Sequence, residues 1–167
     1  MTGLVLRDQP GPADLADVRR LTQASGVFSA IEVDLAVELL QERLDRGLKA
    51  TGYHFLFAET GEGAVMGYTC HGPAPLTVSS WDLYWIAVAA ADHGQGIGRR
   101  LLAATEQRAA TLGAAAIYAD TSGRPDYTRT RAFYDRAGYL KAAELPDFYA
   151  PGEAKVIYAK KLPSPAC

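Results

Sequence analysis

The chain predicts an α/β fold of the α+β type: a single domain over residues 1–167, with a mixed, mostly antiparallel central sheet flanked by helices. Three observations carry that expectation. Strand-like and helix-like segments alternate from end to end, with no internal repeat, linker or low-complexity stretch. Two strand-like runs meet at Thr60-Gly61-Glu62-Gly63, a hairpin signal that makes neighbouring strands antiparallel. The run from Leu83 to Leu102 passes from a strand, through alternating glycines, into an alanine- and leucine-rich helix. Of the 167 residues 49% are apolar, enough to bury one real core.

Each element follows from local chemistry. Leu4 to Arg7 reads as a first strand, punctuated by Gly11-Pro12. Asp14 is placed to cap a helix in which Leu15, Val18 and Leu21 recur at helical spacing. A second helix is expected over Ile31 to Arg46, with Leu35, Leu39, Leu40 and Leu44 as its apolar stripe and Gly47 as its stop. Tyr53 to Glu59 and Ala64 to His71 form the hairpin strands. The glycine run follows the central strand and opens a helix from Gly98 to Leu112, which ends at Gly113. Ala115 to Asp120 is a further strand, and Thr128 to Ala137 a short helix closed by Gly138. Tyr139 to Glu144 and Val156 to Lys161 finish as strands, joined by a connection through 146–152.

Composition narrows the function classes. A net charge of −2 with no basic cluster argues against a nucleic-acid surface. No apolar stretch is long enough to cross a bilayer and no signal-peptide pattern opens the chain, so a cytoplasmic setting is expected. Cys70 and Cys167 are too few for a disulfide framework; Cys70 belongs in a strand, and Cys167, the last residue, is expected to be mobile. His54, His71 and His93 show no ligand spacing, so no metal is expected.

Strand, glycines and helix together build a bowl of main-chain N–H groups at a helix N-terminus. The first four amides there lack intrahelical partners and the peptide dipoles place roughly +0.5 of a charge on them, so the expected ligand carries phosphates. A dinucleotide site is one reading, since Asp120 ends the next strand about 20 residues later, as that fingerprint expects. Against it, the third small residue would fall at Arg99, and the strand stops several residues before Gly94. No Gly-Lys-Ser or Gly-Lys-Thr occurs, which excludes a phosphate loop of the nucleotide-hydrolase kind.

The segment Leu83 to Leu102 resembles the acetyl-CoA-binding segment of the GCN5-related N-acetyltransferases (the GNAT superfamily), with its Arg/Gln-x-x-Gly-x-Gly/Ala pattern. Downstream, Thr130-Arg131-Ala132-Phe133-Tyr134-Asp135-Arg136-Ala137-Gly138-Tyr139 is similar to that family's second signature, a helix ending Phe-Tyr-x-x-x-Gly-Phe/Tyr. The resemblance implies a GNAT-like fold over nearly the whole chain and acetyl-CoA as acyl donor. It implies that the main chain of His93, Gly94, Gln95, Gly96, Ile97, Gly98 and Arg99 cradles the pyrophosphate, with Arg99 and Arg100 adding charge-assisted contacts. Main-chain groups of Ile86 and Val88 would pair with the pantetheine arm, with a Val88 or Ala89 amide near the thioester oxygen. Two positions depart from the family: His93 stands where arginine or glutamine is usual, and Tyr127 replaces an asparagine that touches the pantetheine arm.

Tyr134 is the candidate general acid, because a phenol of ordinary pKa near 10 is protonated at neutral pH and can hand its proton to a thiolate. Asp82 is the candidate base, one methylene shorter than the glutamate of some relatives and on the strand face of Tyr84 and Ile86. Asp120 is an alternative base, and many relatives have none. No cysteine falls in either matched segment, so direct attack in a ternary complex is expected rather than a covalent acetyl-enzyme. The acceptor pocket is expected from Ser25 to Ile31, Tyr53 and His54, the loop from Asp120 to Tyr127, and Phe148-Tyr149. Phe28, Trp81, Tyr84, Trp85, Tyr127 and Tyr149 would wall it, Glu32, Asp34, Asp120, Asp126 and Asp147 would favour a cation, and Arg124 would suit a carboxylate. The expected partner is a small-molecule amine, with no nucleic acid and no membrane, and a homodimer is an assembly common among similar proteins. Acetylation of a protein N-terminus or lysine is the alternative activity. A non-catalytic acyl-CoA-binding module is the alternative class; it would have no need of Tyr134.

Overall fold

The computed structural model describes residues 3–163; Cys167 lies outside them. Chain order is Val5–Arg7 (β1), Asp14–Ala24 (α1), Ala30–Arg46 (α2), Leu48–Thr51 (α3), His54–Glu59 (β2), Val65–Pro73 (β3) and Ser80–Val88 (β4). There follow Ile97–Thr111 (α4), Ala116–Ser122 (β5), Thr128–Arg136 (α5), Leu140–Ala150 (β6) and Glu153–Lys161 (β7). Single 3₁₀ turns at Ala90–Asp92 and Pro125–Tyr127 precede α4 and α5. The strands form one seven-stranded, mostly antiparallel sheet in the order β1-β2-β3-β4-β5-β7-β6, in which β4 and β5 run parallel. The α/β fold class expected from the sequence is therefore present, helices included. By its contacts the chain divides into two compact units, 1–72 with 85–105, and 73–84 with 106–167.

In the first unit, α2 begins where the Ser29 hydroxyl accepts from the Glu32 amide while the Glu32 carboxylate accepts from the Ser29 amide. That reciprocal cap satisfies two donors that a helix start otherwise leaves orphaned. The helix buries Val33, Ala36 and Leu40; of the expected leucine stripe Leu40 alone is fully buried, while Leu35 is exposed and Leu39 and Leu44 are half-buried. Asp14 is the first residue of α1 rather than a cap on it; its carboxylate accepts from the Gly11 amide at 2.7 Å and from Arg7. The Arg7 guanidinium also pairs with Glu59 at 2.5 Å and lies over the Phe57 ring, which ties β1 to α1 and β2. Helix α3, absent from the sequence reading, fills the turn between two left-handed glycines, Gly47 and Gly52. Cys70 lies buried in β3, as expected.

In the second unit, β5 pairs in parallel with the first half of β4 and antiparallel with β7, which separates it from β6. Tyr134 of α5 stacks on Tyr158 of β7 and meets Tyr139 edge-on, and all three rings are buried. The expected connection through 146–152 is largely strand. β6 runs on to Ala150, with its register against β7 shifted between Leu145 and Ala150. Pro146 brings no N–H to the ladder, and Asp147 adopts a left-handed φ of 54° held by its carboxylate accepting from the Gly152 amide at 2.6 Å. This bulge sits on the edge strand, where an interrupted ladder is tolerated.

Candidate functional site

The turn into α4 is built by two glycines. Gly94 and Gly96 both have φ of 80°, a left-handed backbone that other residues adopt only at a cost. A Cβ built on either would meet no atom within 4 Å, so open space lies in front of both. The first α-helical bond of α4 runs from the Arg100 amide to the Gly96 carbonyl, which leaves the amides of Ile97, Gly98 and Arg99 ahead of the helical ladder. Ile97 buries its side chain among Leu56, Ala58 and Leu101, anchoring the turn while its amide stays at the helix end. No acidic residue occupies the first turn, whereas the exposed Arg99 and Arg100 do. An oxyanion such as a phosphate fits this arrangement of amides, dipole and arginines. Gln95 is partly spent inside the loop, its amide donating to the Asp92 carbonyl and its side chain to the Asp92 carboxylate.

Along β4, the Ala89 amide donates to the Met66 carbonyl of β3 at 2.8 Å. Ala89 is therefore not a free donor for a thioester oxygen, which removes one of the two amides expected there and leaves that of Val88. By alternation, Ile86 and Val88 direct their main-chain groups away from β3, beyond the last β4–β5 pair at Leu83 and Ala119. The imidazole Nε2 of His93 lies 3.0 Å from the Val88 carbonyl, so the departure at His93 folds back on the strand end. Gly67 makes room for β4: a Cβ there would stand 2.9 Å from the Ala87 carbonyl oxygen and 3.2 Å from Val88 Cγ2.

Asp82 and Asp120 share one face of the sheet. Asp82 pairs with Tyr118 across the parallel ladder, and Asp120 is two residues further along β5. Asp82 is half-buried, and burial first, then the charge of Asp120, raises its pKa above the ordinary aspartate value, offset in part by Lys155. Lys155 Nζ lies 2.5 Å from Asp120 Oδ2. Tyr134 packs on the other face, against Tyr158, whose neighbour Ile157 pairs with Asp120. Burial raises the Tyr134 phenol above the ordinary tyrosine value, with further contributions from Tyr127 and Asp120. The candidate acid thus stays protonated over the whole working range of pH.

Several residues expected around an acceptor are already occupied. Trp81 and Tyr127 belong to the core, and Arg124 lies over the Tyr127 ring at 5.2 Å. Glu32 completes the α2 cap, Asp34 pairs with Arg19, and Asp126 and Glu153 pair with Arg124. Phe28 and Trp85 meet at 6.5 Å, and Phe148 and Tyr149 are exposed on the β6 bulge. Burial lowers the pKa of both His54 and His71, whose rings stack 5.6 Å apart. Lys155 escaped the sequence reading. Among the described residues no group of three or more His, Cys, Asp and Glu is placed to hold a metal ion, and no helix is long and apolar enough to cross a membrane.

The description of the acetyltransferase (GNAT) family matches residues 18–139, so the chain belongs to that family. Among solved structures, a protein of Desulfovibrio desulfuricans assigned to the GNAT acetyltransferases is 41% identical. It has a TM-score of 0.91, with 95% of this chain and 99% of that one covered. A Salmonella typhimurium protein assigned as an acetyltransferase, solved with its cofactor acetyl-CoA, shares the fold at 18% identity and a TM-score of 0.74, covering 99% and 98%. So does the ribosomal-protein-S18-alanine N-acetyltransferase of Escherichia coli, at 18% identity and a TM-score of 0.75, covering 99% and 97%. No protein of curated function matches the sequence.

Proposed function

We propose that the chain, as one domain, is an acetyl-CoA-dependent N-acetyltransferase that moves an acetyl group to the primary amine of a small molecule by direct attack. The observation that carries this reading is the start of α4: left-handed Gly94 and Gly96 with open space before them, and a first turn holding two arginines and no acid. The main chain from His93 to Arg99 holds the donor's diphosphate there, with Arg99 and Arg100 adding charge. Ile86 and Val88 offer their main-chain groups to the pantetheine arm, and Tyr127 packs where a side-chain tether is missing. Bound acetyl-CoA supplies an acetyl group activated as a thioester.

Asp82 takes a proton from the incoming ammonium, directly or through water, because an amine of pKa near 10 cannot attack while protonated. The amine nitrogen then bonds to the acetyl carbon as the carbon–sulfur bond breaks, Tyr134 gives its proton to the departing thiolate, and the proton that the nitrogen sheds as the amide forms returns through water to the Tyr134 phenolate. Cys70 is buried in β3 with its thiol pushed up by burial, which favours direct attack over an acetylated cysteine. Exposed Phe148 and Tyr149 favour a small acceptor with an apolar part.

The test follows thiol release from acetyl-CoA over a panel of small primary amines, peptides with free N-termini and lysine peptides. Turnover on small amines is expected. Turnover on peptides alone would move the acceptor class, and CoA binding with no turnover on any of them would make the chain a non-catalytic binding module.

A further inference from the structure

Asp82, Asp120 and Lys155 come from three strands that are neighbours in the sheet but far apart in the chain. Register places them on one face: Asp82 opposite Tyr118 on β4–β5, and Asp120 opposite Ile157 on β5–β7, with Lys155 two residues before Ile157. Glu153 and Ser122 continue the face, but Glu153 is taken up by Ser122 and Arg124. Lys155 is held from two sides. Its ammonium meets the Asp120 carboxylate at 2.5 Å and sits 4.8 Å from the centre of the Phe148 ring. That ring is brought there by the β6 bulge, which the left-handed Asp147 and its bond from the Gly152 amide maintain. An ammonium between a carboxylate and an aromatic face is well localised. Its side chain is 18% exposed and that of Asp120 49%, so the lysine end of the pair is sheltered while the carboxylate end is open to solvent.

We propose that Lys155 is a positioning residue for acceptor deprotonation: by engaging Asp120 beneath Phe148, it ties Asp120 into an ion pair, offsets the charge that Asp120 presents to its neighbour and leaves Asp82 as the carboxylate open to the amine. The inference rests on the acetyltransfer reading for its purpose, though not for the electrostatic link itself. The charge of Asp120, on the strand beside Asp82, disfavours ionisation of Asp82, and the Lys155 cation on the far side of Asp120 offsets part of that charge. The charges acting on Asp82 are Asp120 from β5 and Lys155 from β7, with opposite signs, and Asp120 also raises the Tyr134 phenol on the opposite face. Lys155 therefore divides the labour. Asp120 anchors, and Asp82 accepts protons.

The experiment reads the Asp82 carboxyl by ¹³C NMR titration in the wild type, Lys155→Met, Lys155→Arg and Asp120→Asn, beside pH–rate profiles for any amine that turns over. Lys155→Met is expected to move the Asp82 midpoint up, Asp120→Asn to move it down, and Lys155→Arg to restore the wild-type value. The rate lost in Lys155→Met is expected to be at least threefold greater at pH 6 than at pH 9. An Asp82 midpoint that stays put in folded Lys155→Met overturns the proposal; if that variant does not fold, Asp120→Asn without a downward shift does so. A moved midpoint with an unmoved acid limb of the rate profile overturns the positioning role. Moved midpoints with no turnover on any amine would instead sink the acetyltransfer reading and leave the electrostatic link standing.

Discussion

Replacing Gly96 by leucine separates the cost of folding from the cost of binding. At φ of 80° a residue with a Cβ carries backbone strain of about 1–2 kcal/mol. No atom lies within 4 Å of that Cβ, so no clash adds to the strain. For a chain of this length that loss lowers Tm by roughly 2–8 °C, and the protein stays folded. The side chain would stand in the space before the first amides of α4. Hydrogen bonds to an ionised diphosphate contribute about 1.5–3 kcal/mol each, so losing two weakens binding by at least about a hundredfold. Calorimetric titration with CoA measures the affinity and a thermal melt measures the strain. Gly96→Ala is the control: it carries the same backbone strain with far less bulk, so its Tm should fall as much and its Kd should rise less. A folded Gly96→Leu protein binding CoA within threefold of the wild type would refute the cradle.

Tyr134→Phe is expected to lower the acetylation rate at least tenfold with little change in CoA affinity, measured by steady-state kinetics and calorimetry. Because burial holds the phenol above its ordinary range, the wild-type rate should show no alkaline decline from Tyr134 up to about pH 9.5. His71 is fully buried and lowered to about 3, mainly by burial and then by His54. Between that value and 6.5 the unfolded chain binds a proton that the folded chain does not, so stability falls as pH drops through this window. The slope from His71 approaches about 1.4 kcal/mol per pH unit, and urea melts of His71→Gln should show a shallower acid decline. Gly67→Ala should destabilise by about 1–3 kcal/mol in thermal melts, since its methyl would stand 2.9 Å from the Ala87 carbonyl and 3.0 Å from Leu101 Cδ1.

The glycine turn into α4 was legible in the sequence because its geometry is local. Glycines are needed where φ is left-handed, and a helix must start where Ile97, Leu101 and Leu102 recur at core spacing. The hairpin from β2 to β3 was legible for the same reason, its turn closed by Thr60 and Ala64. What depends on distant pairing was hidden. Asp82 was visible as a strand residue, but its coupling to Lys155 requires β7 to insert between β5 and β6, a sheet order that no periodicity reports. The bulge of β6 was misread as a connection, because Pro146-Asp147 resembles a turn when its partner strand is unknown. Aromatics such as Trp81 and Tyr127, read as pocket walls, went into the core, where a large ring contributes most to burial.

The central claim is that main-chain amides at the start of α4 grip a diphosphate. Titrating ¹⁵N-labelled protein with CoA and following its amide resonances tests this most directly. The account predicts that Gly96, Ile97, Gly98 and Arg99 shift furthest, at a CoA concentration that also protects them from hydrogen exchange. Saturation by CoA with those four amides unmoved, and the largest shifts elsewhere in the chain, would contradict it.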